Sequence, residues 1–130
     1  MGEWLLVLAG GAIGAPARYL IGVTAGRRLP APYHWGTFLA NMAASLLLGF
    51  LVKAGTEGAL GADGQALLSV GFCGALSTWS TFSHELLAMT DARHTTRAAG
   101  YLLATVALGL ALSFAGGAVA RAWTGSGPGL

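Results

Sequence analysis

The stretch GFCGALSTWSTFS, residues 71–83, decides how the chain must fold. It sets three serines and two threonines between glycines and aromatic rings. No Asp, Glu, Lys or Arg occurs between Asp63 and Glu85. A helix needs about 20 mostly apolar residues to cross a bilayer, and this run is long enough. Its centre resists a regular helix, however. Gly71 and Gly74 weaken it, and the hydroxyls that follow compete for backbone hydrogen bonds. A helix interrupted at membrane depth is tolerated only where protein or a cavity surrounds the freed backbone.

The rest of the chain fits a membrane setting. Of 130 residues, 55% are hydrophobic and 9% charged, against roughly 25% charged in soluble domains. Four spans are expected, at about residues 4–25, 35–52, 66–89 and 98–120. The connections are short, and Pro30 and Pro32 mark the first as a turn. The tail, about residues 124–130, reads as disordered. Residues 1–130 thus form a single membrane domain with no soluble module. The start MGEW has Glu3 and no basic residue, which predicts no cleavable signal peptide. The expected location is the cell inner membrane or plasma membrane, multi-pass, in contact with membrane lipid.

Charge and cysteine content exclude other classes. The net charge is +2 and no basic stripe forms, so no nucleic-acid partner is expected. Cys73 is the only cysteine, which rules out an intrachain disulfide. The first and third connections carry Arg27, Arg28, Arg93 and Arg97, against Lys53 and Arg121 on the other side. A bias this small suits a chain that inserts in either orientation.

Polar groups inside spans are costly and usually face the bundle interior or a pathway. Arg18 lies two residues after Pro16 in the first span. Asn41, Ser45 and Gly49 share a face of the second, and Tyr101, Thr105, Gly109 and Ser113 a face of the fourth. Trp79 and Phe82 are neighbours on the third. Gly10 and Gly14, and Gly109, Ser113 and Gly117, read as close helix packing. Ser45 and Ser113 read as bonding back to their own helices. His34, His84 and His94 fall near span ends and read as interfacial. Glu3 and Glu85 also sit at span ends, which leaves no carboxylate for proton-coupled export. What remains is hydroxyls, an amide and aromatic ring edges, which carry partial positive charge. Such a neutral donor lining suits a small, strongly hydrogen-bonding anion, without selecting which.

Three segments carry a family resemblance. GGAIGAPARYL (residues 10–20), GTFLANMAASLLLGF (36–50) and GFCGALSTWSTFSHE (71–85) resemble signatures of the Fluc, or CrcB, fluoride channels. The likeness covers all four expected spans in order. It implies an all-α membrane protein with four transmembrane helices per subunit. It implies a broken third helix and an antiparallel, dual-topology homodimer. Two fluoride pores and a structural sodium ion at the dimer centre follow from the same resemblance. Carried over, the sodium ligands are the backbone carbonyls of Gly74 and Ser77. The pore residues are Asn41, Trp79, Ser80, Thr81, Phe82, Tyr101 and Thr105, and the vestibule residues are Arg18 and Glu85. Trp79 stands where the family usually has phenylalanine, Ala75 replaces a glycine, Ser77 a threonine, and Gly109 a frequent serine.

The expected function is therefore passive, fluoride-selective export from the cytoplasm, with no catalytic residue and no enzyme activity. The rivals are a small dual-topology multidrug exporter, which needs a membrane carboxylate, and a structural subunit of a larger membrane complex.

Overall fold

The computed structural model describes residues 2–30 and 34–125. It is all-helical, with no strand among the described residues. Helix α1 (Gly2–Arg28) has Glu3 in its first turn and Arg27 and Arg28 in its last, charges that complement the helix dipole. Pro16 lies inside α1 without ending it. Helix α2 covers Trp35–Thr56. Next come a short α3 (Ala62–Gly64), a π-helix (Gln65–Cys73), a short α4 (Gly74–Leu76) and α5 (Ser80–Asp91). Helix α6 (Thr95–Thr124) is the last element among the described residues and is capped by Gly125, whose φ is +78°. Most of the expected disordered tail, residues 126–130, lies outside the described residues, as does Pro32 of the first connection.

Helices α1, α2 and α6 are each long and apolar enough to cross a membrane, at 27, 22 and 30 residues. Their most apolar windows are only 11%, 22% and 11% buried within the chain. Large side chains such as Leu8, Ile13, Leu103 and Phe114 face outward. In water that surface would be prohibitive; in lipid it is the solvent-matched face. The chain is a multi-pass membrane protein.

The helices pack backbone to backbone, which fixes where the third segment lies. Helix α1 rests on the π-helix. A Cβ added to Gly10 would lie 2.0 Å from the Leu67 carbonyl oxygen, and one added to Gly14 would lie 2.4 Å from that of Phe72. Helix α2 rests on α6 in the same manner. A Cβ on Gly49 would meet the Ser113 oxygen at 2.0 Å, and one on Gly116 the Leu46 oxygen at 2.1 Å. Among the glycines of α6, Gly116 makes the closest approach, whereas a Cβ on Gly117 would lie an ordinary 3.8 Å from the Gly49 oxygen. The single Ser113 O–H lies within reach of the Gly109 carbonyl of its own helix at 3.0 Å and of the Ser45 carbonyl across the interface at 3.2 Å.

Besides α6, two more helix ends close on a left-handed residue, which satisfies their last carbonyls. After α2, Gly58 has φ +80°, and Ala59 N–H donates back to Ala54. After α5 the same position is filled by Arg93, at φ 64°, with His94 N–H donating to Met89 at 2.8 Å.

Candidate functional site

The site is built around the interruption between α4 and α5. Helix α4 ends at Leu76, Ser77 is extended (φ −78°, ψ 160°), and α5 begins at Ser80. Three side chains hold this opening. From α2, Asn41 engages both backbone polar groups of Thr78. Thr78 N–H donates to Asn41 Oδ1 at 2.8 Å, and Asn41 Nδ2 donates to the Thr78 carbonyl at 3.2 Å. From α1, Arg18 Nε donates to the Ala75 carbonyl at 3.1 Å. Thr78 itself accepts the Thr81 N–H on its hydroxyl at 3.3 Å, which satisfies a donor in the first turn of α5.

An open groove of about 240 Å³ lies beside this point, lined among others by Asn41, Ser77, Thr78, Trp79, Phe82 and Thr105. The two aromatic rings differ in setting. Phe82 is 1% exposed and Trp79 72% exposed, with ring centroids 5.6 Å apart. Phe82 also meets Tyr101 edge to face at 5.0 Å. Thr105 Oγ1 is buried and has no hydrogen-bond partner among the described residues. A buried hydroxyl left unpaired is costly. Ser80 is exposed, with its Oγ 3.5 Å from that of Thr78. Thr81 is half-buried. Gly74 is exposed, with nothing within 4 Å of where a Cβ would stand.

Glu85 lies one turn further along α5 and belongs to a second cluster. Its side chain is 14% exposed. It accepts from Thr37 Oγ1 and from the Tyr101 hydroxyl, each at 2.9 Å, and it pairs with His34 Nδ1 at 3.1 Å. Tyr101 therefore turns its hydroxyl to the carboxylate, while its ring covers Phe82. Arg18 and Glu85, read together as vestibule residues, contact different elements: Arg18 reaches Ala75 and Glu85 joins α2 to α6. Sequence reasoning left Thr37, His34 and Thr78 out of the site. Thr37 and Thr78 lay within the quoted motifs, whereas His34 carried no such signal.

The fold and site define a small helical membrane protein organised on an interrupted helix with a polar, donor-bearing groove beside it. Residues 5–123 match the family described as CrcB-like protein, Camphor Resistance (CrcB). The chain belongs to that family. It is similar to the fluoride-specific ion channel FluC 1 of Streptomyces avermitilis, 43% identical with 88% of this chain and 92% of the relative covered. It is 45% identical to the fluoride-specific ion channel FluC of Phenylobacterium zucineum, over 90% of this chain and 94% of the relative. A fluoride-specific ion channel FluC of Thermus thermophilus is 35% identical, over 89% of this chain and 93% of the relative.

Proposed function

We propose that the chain is a passive, fluoride-selective ion channel that exports fluoride from the cytoplasm. The observation that carries this reading is the unpartnered Thr105 hydroxyl in a groove lined by the Trp79 and Phe82 rings. Fluoride gives up water reluctantly, so a filter must replace its shell with donors, as other filters replace the shells of their ions. Hydroxyl hydrogens and aromatic edges provide such donors without a fixed charge that would trap the ion. The one carboxylate nearby, Glu85, is occupied by Thr37, Tyr101 and His34, so an exporter exchanging protons on it is disfavoured. The names of the relatives support the choice of fluoride over other small anions.

The groove is open on one side, as expected of half a pore. In this reading a second copy, inserted antiparallel, closes it. Residues 62–91 act as the third of four spans, interrupted at residues 77–79. The backbone carbonyls of Gly74 and Ser77 fit a sodium ion at the dimer centre: sodium takes oxygen ligands, and unwound helix carbonyls supply them in membranes. A bound sodium ion supplies a fixed positive charge beside the anion route. Export follows from chemistry outside the protein. Neutral hydrogen fluoride enters across lipid from an acidic medium and ionises in the cytoplasm, and the anion then runs out through the pore with no chemical step on the chain.

The test is growth of a bacterium stripped of its own fluoride export. Expression of this chain is expected to restore growth in fluoride at acidic pH. Continued sensitivity, with the protein present in the membrane, contradicts the reading.

A further inference from the structure

The backbone around Thr78 loses its helical hydrogen bonds in an ordered way. In an unbroken helix each N–H closes on the carbonyl four residues back. The Thr78 N–H, due to the Gly74 carbonyl, goes instead to Asn41 Oδ1 at 2.8 Å. The Thr81 N–H, due to the Ser77 carbonyl, goes instead to Thr78 Oγ1 at 3.3 Å. Two neighbouring carbonyls receive replacements. Ala75 accepts from Arg18 Nε at 3.1 Å, and Thr78 accepts from Asn41 Nδ2 at 3.2 Å. Side chains thus satisfy the carbonyls of Ala75 and Thr78 and draw the helical donors away from those of Gly74 and Ser77. Gly74 adds an open approach, with no neighbour where a Cβ would stand.

We infer that Asn41 is a positioning residue for a monovalent cation. By holding the Thr78 N–H, it keeps the helix from closing and presents the Gly74 and Ser77 carbonyls as oxygen ligands. This rests on the sodium reading proposed above. Asn41 is itself no ligand. Its oxygen and one of its amide hydrogens are spent on Thr78. Thr78 plays the same part for Ser77 through its hydroxyl.

The test is the sodium midpoint of thermal stabilisation, measured on the full chain purified in detergent. Sodium chloride is exchanged for N-methylglucamine chloride at constant ionic strength. A ligand at free concentration c that binds only the folded state stabilises it by RT ln(1 + c/Kd), so the sodium concentration at which the melting temperature begins to climb, taken here as the midpoint, reports affinity separately from intrinsic stability. The wild type is expected to stabilise with sodium. Asn41→Ala is expected to raise the midpoint at least about tenfold. Asn41→Asp keeps the acceptor for Thr78 N–H and is expected to bind sodium as tightly as the wild type or tighter. Thr78→Val, which returns the Thr81 N–H to Ser77, is expected to weaken sodium several-fold. A wild type indifferent to sodium overturns the sodium reading and this inference with it. A sodium-sensitive wild type whose midpoint is unchanged in Asn41→Ala overturns this inference alone. If Asn41→Ala does not fold, the other two variants decide: sodium binding lost in Asn41→Asp and kept in Thr78→Val overturns it equally.

Discussion

The Tyr101 hydroxyl donates to Glu85 Oε1 at 2.9 Å, tying α6 to α5 at the edge of the aromatic pair Trp79 and Phe82. The carboxylate also takes Thr37 and His34, so one acidic side chain on α5 joins α2 and α6. A glutamine there would turn an N–H₂ group toward groups that themselves donate. Glu85→Gln is expected to lower stability by about 1–3 kcal/mol, the usual cost of leaving a shielded donor unmatched. Chemical or thermal unfolding of the purified variant checks it. An unchanged midpoint would show that the cluster is not holding α2, α5 and α6 together.

Thr105 makes the opposite prediction, a gain in stability with a loss of function. Its hydroxyl is buried with no partner among the described residues. Thr105→Val removes that unpaired group at nearly constant volume and is expected to stabilise by about 1 kcal/mol. Fluoride flux is expected to fall at least about tenfold, because a donor to the anion is gone. Flux equal to the wild type would remove Thr105 from the conduction path.

The glycines divide into those that permit packing and those that do not. A methyl at Gly116 would stand 2.1 Å from the Leu46 carbonyl oxygen, and backbone cannot step aside as a side chain can. Gly116→Ala is expected to cost about 3 kcal/mol or more. Gly100 has nothing within 4 Å, and Gly100→Ala is expected to gain up to about 1 kcal/mol from helix propensity. Thermal unfolding of the pair separates steric exclusion from propensity, since both changes add the same methyl.

Arg93 occupies a left-handed position at φ 64°, where α5 ends. An L-residue with a side chain pays roughly 1–2 kcal/mol there, and glycine does not. Arg93→Gly is expected to raise stability by about 1 kcal/mol, read from the same unfolding experiment. A loss would mean that the arginine side chain contributes more than its backbone costs.

Much of this architecture was legible in the sequence, for a physical reason. Lipid demands long apolar runs, so α1, α2 and α6 announce themselves by hydropathy, and a charge-free run rich in glycine and hydroxyls marks the interrupted segment. Spacing also placed Trp79 beside Phe82, because a three-residue offset on one helix face is a local property. Contacts between helices were not legible in that way. Nothing in the pattern tells that Asn41 reaches the backbone of Thr78 rather than a side chain, or that Glu85 gathers His34, Thr37 and Tyr101. Those depend on how far each helix slides past the next, which the carbonyl contacts of Gly10, Gly14, Gly49 and Gly116 set. The π-helical winding of Gln65–Cys73 likewise has no compositional signature, since apolar residues fill an α-helix equally well.

Trp79 is the position where this chain departs most visibly from the motif it carries. Its indole is 72% exposed on the open side of the groove, where the proposed second copy would meet it. Trp79→Phe is expected to keep the fold within about 1 kcal/mol, since an exposed ring has few packing contacts to lose. Fluoride flux is expected to change with stability held, which a comparison of efflux and unfolding on the same preparation resolves.

The decisive measurement is efflux from liposomes that hold the purified chain and are loaded with equal fluoride and chloride, each followed by its own electrode after potassium permeability is supplied. A fluoride-selective pore predicts rapid loss of fluoride with chloride retained. Retention of both anions by vesicles containing folded protein, or loss of both at similar rates, would contradict it.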